Sequence, residues 1–190
     1  EMAAASLQGL VASRSQLGEY DLALEEQEEF LLQMTNADSE TGGNSLALGS
    51  LYFNRHENEK ALQQFTKFID INPEDTQTAS AVLNLADCYY RLQYYEEAIS
   101  SWMKITTDYS KSRHVQEAFY RIADTQFGLG QFTKAASTYS KLYALNSDGA
   151  HSIDALFGIG NSYYNSKQDD LAINAFNEFI SSYPEDPRVE

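Results

Sequence analysis

Two histidines, His114 and His151, stand 37 residues apart and precede the same pattern of apolar residues. Imidazole is a common zinc ligand and carries protons near neutral pH. If the two were brought together, Asp148 or Asp154 could complete a metal site. The simpler reading is that two surface histidines were copied along with the segments around them, so no metal site is expected. Cys88 is the single cysteine, which excludes an intrachain disulfide and a cysteine-based zinc site. It occupies the place held elsewhere by Leu51, Thr125 and Ser162, and reads as a core filler, not a reactive thiol. Asp and Glu number 28 against 13 Lys and Arg, so paired carboxylates are common and identify no general acid and base. No P-loop, dinucleotide fingerprint, HExxH or nucleophile elbow is present. The chain reads as a non-enzyme, with no cofactor expected.

The 37-residue spacing of the histidines belongs to a wider pattern. Ala61, Ala98, Ala135 and Ala172 share it, each followed four residues later by an aromatic: Phe65, Trp102, Tyr139 and Phe176. Thirteen residues before each alanine stands Leu48, Leu85, Ile122 or Ile159, and the next position is small: Gly49, Ala86, Ala123 or Gly160. Self-similarity at such a period marks a solenoid, in which each unit packs only on its neighbours. Each unit reads as two amphipathic helices, for example Phe119, Ile122, Ala123 and Phe127, then Phe132, Ala135, Ala136, Tyr139 and Leu142. Gly128 and Gly130 mark the turn between them. Asn72-Pro73-Glu74-Asp75, Asp108-Tyr109-Ser110, Asn146-Ser147-Asp148-Gly149 and Tyr183-Pro184-Glu185-Asp186 separate the units. These stretches supply proline to stop one helix and Ser or Asp to cap the next. The small residues predict close approach of paired helices, with the alanines facing them. A degenerate first unit, Gly18-Glu19-Tyr20-Asp21-Leu22-Ala23, matches Gly130 to Ala135, with one residue inserted in the Asn36–Gly43 loop. The expected fold is all-α, a superhelix of about five helix-turn-helix repeats near residues 3–34, 43–72, 76–109, 112–146 and 150–183. Residues 1–190 form one array.

Composition narrows the partners. An apolar fraction of 43% and an aromatic fraction of 13% suffice for a folded core. A net charge of −15 repels nucleic-acid phosphates and anionic lipid surfaces, and suits either a basic or apolar protein partner or solubility alone. No apolar run approaches the about 18 residues of a membrane span, so no direct membrane insertion is expected.

The repeat resembles the tetratricopeptide repeat family. Leu48-Gly49-Ser50-Leu51-Tyr52, Ala61, Phe65 and Pro73 carry the resemblance, as do Ile159-Gly160-Asn161-Ser162-Tyr163, Ala172, Phe176 and Pro184. The family's usual period is about 34 residues. The longer period, with Tyr183-Pro184 or Tyr109-Ser110 at the junction, is similar to Gram-negative envelope proteins such as the Tol-Pal accessory coordinator and the β-barrel assembly lipoprotein. That resemblance implies a periplasmic or envelope-associated scaffold. A cytosolic adaptor in regulation or secretion and a structural spacer or self-association segment are the alternatives.

The resemblance also implies that first helices line a concave face where a peptide or partner protein lies. Phe53, Tyr90, Phe127 and Tyr164 form one aromatic row on those helices, and Leu46, Leu83, Tyr120 and Phe157 a second. Ser50, Asp87, Asp124 and Asn161 form a polar row between them. Packing is the competing assignment for the Phe53 row. Adaptors of the family that hold acidic chaperone tails use paired basic residues, whereas this chain has Leu83, Asn84 and Asp87, then Tyr120, Arg121 and Asp124. Arg91 and Arg121 are the basic groups at hand, each with a carboxylate nearby in sequence. Glu19, Asp21, Glu25, Glu26, Glu28 and Glu29 read as a solvated outer face, with a docking face for a basic partner as the alternative. The last helix shows Leu171, Ile173, Phe176, Phe179 and Ile180 without a polar cap. A further first helix is expected to begin at Pro187-Arg188-Val189-Glu190. Both features fit a fragment of a longer protein, or self-association through the array ends.

Overall fold

The computed structural model describes residues 20–37, 42–145 and 151–189. Residues 3–19 of the expected first unit, residues 38–41 of its inserted loop, and Asp148 lie outside them. The described residues form nine α-helices: α1 (Tyr20–Ala37), α2 (Gly43–Asn54), α3 (Asn58–Ile71), α4 (Thr78–Arg91), α5 (Tyr95–Thr107), α6 (Val115–Gly128), α7 (Phe132–Leu145), α8 (Ser152–Asn165) and α9 (Asp169–Ser182). A 3-10 turn follows at Pro187–Val189, and no strand occurs among the described residues. The chain divides into two compact units, Glu1–Gln93 and Tyr94–Glu190.

Periodicity decides which face of each helix turns inward. In α3 the buried residues are Asn58, Ala61, Phe65 and Phe68, a single stripe at helical spacing. Unit one gathers Leu31, Leu48, Leu51, Phe65, Phe68 and Leu85 into its core. Unit two does the same with Tyr139, Leu142, Leu156, Ile159 and Phe179. Complete burial of a side chain such as Phe65 contributes roughly 1.5–3 kcal/mol. Cys88 is among the buried core residues of unit one. Burial raises its thiol pKa to about 12, so it stays protonated at neutral pH.

The four repeat alanines are all buried, and the small residues facing them are seats for rings. A Cβ on Gly160 would lie 2.6 Å from the Phe176 ring, and one on Gly49 would lie 2.8 Å from Phe65. The aromatic four residues beyond the alanine therefore lies across the small residue. Where Ala86 or Ala123 stands there, it too is fully buried.

The turns inside the hairpins repeat as regularly as the cores. His56, Gln93, Gly130 and Lys167 have φ of 61°, 65°, 73° and 61°, again 37 residues apart. Gly130 N–H donates to the Phe127 carbonyl (2.9 Å) and Gln131 N–H to that of Gln126 (2.8 Å), a Schellman closure. Lys167 and Gln168 make the equivalent bonds to Tyr164 and Tyr163 at 3.1 and 3.0 Å. Between hairpins, α3 ends before Asn72-Pro73 and α9 before Tyr183-Pro184, since proline disfavours helix at the residue preceding it. The expected Ser and Asp caps act one step earlier than their type suggested. The N-cap positions of α4 and α6 are Gln77 and His114, neither with a side-chain cap bond. Asp75 Oδ1 accepts from Gln77 N–H at 2.7 Å and Ser112 Oγ from His114 N–H at 3.2 Å. Each side chain thus closes the turn leading into the helix.

Two substitutions at the turns should have opposite signs. A Cβ on Gly130 would meet nothing within 4 Å, so Gly130→Ala tests backbone conformation alone and should destabilise by about 1 kcal/mol. Gln93→Gly should stabilise by about 0.5–1 kcal/mol by relieving the left-handed conformation. Thermal unfolding of both variants reads the result, and equal signs would contradict the assignment. At the helix contact, Ala135→Leu should cost about 1–3 kcal/mol by overpacking. An unchanged melting temperature would count against it.

Candidate functional site

In unit one, the last turns of α2 and α4 bring Phe53, Tyr90 and Arg91 into one neighbourhood. Phe53 is half-buried and packs edge-on against Phe65, with ring centroids 6.4 Å apart. The Arg91 guanidinium lies 3.8 Å from the Phe53 ring centroid. Its Nη1 donates to the Phe53 carbonyl at 3.0 Å and approaches His56 Nδ1 at 3.4 Å. That carbonyl already accepts the His56 N–H at 3.1 Å, and the cation adds a second bond and complements the dipole of the helix C-terminus. Arg91 thus ties α4 to α2 through a carbonyl and a ring. Leu83 and Asp87 are half-buried along α4, and Tyr90 is 40% exposed.

The acidic helix α1 is not uniformly a solvated face. Glu28 accepts from the Tyr52 hydroxyl at 2.8 Å and from Arg55 Nη1 at 2.5 Å, with Lys60 Nζ 3.9 Å away. Burial opposes ionisation of Glu28, but Tyr52, Arg55 and Lys60 hold its pKa below the ordinary value. Burial and the Glu28 carboxylate push the Tyr52 phenol up to about 12. Glu25 and Glu29 are exposed. Glu19 lies outside the described residues.

In unit two, five of the expected site residues converge. Tyr120, Asp124 and Phe127 of α6, with Phe157 and Asn161 of α8, line one cavity of about 200 Å³. Tyr139, Asp154, Gly158 and Arg188 complete its wall. Asp124 is exposed and Asn161 half-buried. Burial raises the Tyr139 phenol above its ordinary pKa, and the Asp124 carboxylate, which it hydrogen-bonds, raises it further. Burial, then Asp124 and Asp154, raise Tyr120 as well, so both phenols remain donors beside carboxylates. Phe127 stands edge-on to Phe132 at 5.3 Å, whereas Tyr164 is 59% exposed. The aromatic row therefore divides, its two phenylalanines packed and its two tyrosines open to solvent.

Arg188 is the residue that repeat logic missed, because it lies past the last repeated position. Its Nη1 meets Asp154 Oδ1 at 2.9 Å and its Nε meets Asp186 Oδ1 at 2.8 Å. The guanidinium also lies 4.8 Å from the Phe157 ring and 5.3 Å from that of Phe179. Tyr139 carried a signal of its own, a hydroxyl on an aromatic that is Phe or Trp in the other three repeats.

His151 is accounted for within the same unit. Its ring stacks on Tyr120 at 4.6 Å and 15°, and its Nε2 lies 2.8 Å from Glu117 Oε2. Glu117 Oε1 holds Arg121 Nε at 2.6 Å. Among the described residues, no group of three or more His, Cys, Asp or Glu side chains is arranged to hold a metal ion. No helix among them is long and apolar enough to cross a membrane.

Serial helical hairpins with buried alanines at a fixed 37-residue spacing define a helical-repeat protein. The chain belongs to the tetratricopeptide repeat family: models of that repeat match residues 46–108, 117–148 and 154–186, together more than half of the chain. No curated protein sequence matches it. Among solved structures, a crystal structure of MamA protein is 19% identical, with a TM-score of 0.71 over 98% of this chain and 94% of that one. A Podosopora anserina putative kinesin light chain with nearly identical TPR-like repeats is 13% identical, with a TM-score of 0.67 over 94% and 93%. BtubC (BKLC) from P. vanneervenii is 16% identical, with a TM-score of 0.64 over 91% and 76%. At these identities the likeness concerns the fold.

The Arg188 clasp carries a pH prediction. Hydrogen bonds from Arg188 depress the Asp186 carboxyl from 3.8 to about 2. A depressed carboxyl stabilises fully above its unfolded value, and this contribution is lost as pH falls through about 2. NMR titration of Asp186 should give that low midpoint, and Arg188→Gln should return it to the ordinary range. A native midpoint near 3.8 would remove the clasp.

Proposed function

We propose that the chain is a non-catalytic scaffold that holds a peptide or partner protein on the concave, first-helix face of its repeats. One observation carries this reading. Tyr120, Asp124, Phe127, Phe157 and Asn161 share one cavity wall, and a guanidinium already stands at that wall between a ring and a carboxylate. Arg188 is an internal example of the recognition such a surface offers: an aromatic face for the flat cation and Asp154 for its charge. A partner with basic and apolar side chains matches it, as the net charge of −15 also favours. The open tyrosines Tyr90 and Tyr164 supply rigid apolar area with a polar tip, the composition of interface anchors. An envelope setting is supported by the 37-residue period and its junction residues.

Affinity capture from lysate of the source organism tests this, comparing the wild-type chain with Asp87→Arg/Asp124→Arg/Asn161→Arg and with Tyr90→Ala/Tyr164→Ala, at matched melting temperature. A defined partner kept by wild type and lost by both variants is the expected result. Retention by both variants moves binding off this face. Capture of copies of the chain alone returns the spacer reading.

A further inference from the structure

A second cleft of unit two has the opposite chemistry. It measures about 620 Å³ and lies among α5, α6 and α7, with Met103, Phe119, Ile122, Lys134 and Lys141 in its lining. Threonine, serine and glutamine side chains complete it, and no carboxylate lines it, in a chain of net charge −15. Ile122 is buried and Phe119 half-buried, while Met103 is 50% exposed. Lys134 and Lys141 stand two turns apart on α7, about 10.5 Å along the axis. Lys134 Nζ donates to Gln131 Oε1 at 3.2 Å, and neither lysine pairs with a carboxylate among the described residues.

The complementary surface is on the same chain. Leu22, Glu25, Glu29 and Leu32 of α1 are all exposed, the leucines at 47% and 40%. Steps of three, four and three residues place the four on one helical stripe. The inward side of α1 is already used, by buried Leu31 and by Glu28 bound to Tyr52 and Arg55. We infer that α1 of one copy docks into the α5–α6–α7 cleft of a second copy. Leu22 and Leu32 then cover Met103, Phe119 and Ile122, and Glu25 and Glu29 face Lys134 and Lys141. The two glutamates are about 6 Å apart along their axis, a mismatch that long lysine side chains can span. Rim ion pairs contribute little affinity each but fix register and exclude like-charged surfaces. The two patches are different surfaces of one chain, so the contact is heterologous and propagates head to tail unless it closes into a ring.

Sedimentation velocity over a range of protein and salt concentrations tests this with the chain itself. The wild type should form species larger than the monomer as concentration rises, and salt should weaken this as it screens the pairs. Lys134→Glu/Lys141→Glu and Glu25→Lys/Glu29→Lys should each weaken self-association about tenfold or more. Mixing the two variants should restore it, since each then supplies the surface that the other has lost. Restoration also shows that both variants are folded. A wild type that stays monomeric throughout overturns the inference, as does association that survives both charge reversals or a mixture that does not associate.

Discussion

The architecture depends on how closely two helices can approach. A side chain on Gly160 would occupy space already filled by Phe176, and the same holds for Gly49 and Phe65. Where the small residue is glycine, a ring is driven across the gap it leaves, and the alanine of the second helix is buried. Interiors are packed too densely for this contact to slide by a methylene without cost. The register of each hairpin follows from that seat. The position of every other side chain on the first helix follows in turn, including those that line the cavity in unit two.

Most of the fold is legible in the sequence for this reason. A contact between a small residue and a ring needs particular residue types at a fixed separation, and it leaves a trace every 37 residues. Proline after α3 and α9 is legible on the same ground, since it forbids helix one residue earlier. The turn residues are a different matter. Gly130 announces a left-handed residue, but His56, Gln93 and Lys167 adopt the same φ without glycine. The backbone hydrogen bonds that close each hairpin require that conformation, and no residue type reports it. The cap residues are misleading for a related reason: Asp75 and Ser112 have the chemistry of caps but spend it closing a preceding turn.

The candidate site is legible in part. Tyr120, Asp124, Phe127, Phe157 and Asn161 are adjacent in space because repeat positions stack, so the 37-residue frame was enough to group them. The frame has no access to residues outside the repeat. Arg188 belongs to no repeated position, yet it brings charge to the cavity wall and bonds Asp154 and Asp186. Nor can the frame tell a packed ring from an open one at equivalent positions. Phe53 is covered by Arg91 and Phe127 meets Phe132, whereas Tyr90 and Tyr164 stay exposed. The difference lies in what each neighbouring segment happens to contribute.

Charge makes the same point at larger scale. A net charge of −15 describes an average, and an average suggests an acidic surface throughout. The acidic run of α1 contains at least two kinds of carboxylate: Glu28, desolvated and bonded to Tyr52 and Arg55, and the exposed pair Glu25 and Glu29. Successive helical residues point about 100° apart, so neighbours in sequence face different surroundings. The cationic groups divide in the same way, with Arg55 and Arg188 held by carboxylates and Lys134 and Lys141 facing an apolar cleft that has none. Repetition lays down one backbone frame several times, and point substitution along that frame gives each copy its own chemistry. A solenoid of this kind acquires distinct surfaces without altering the contact that holds its helices together.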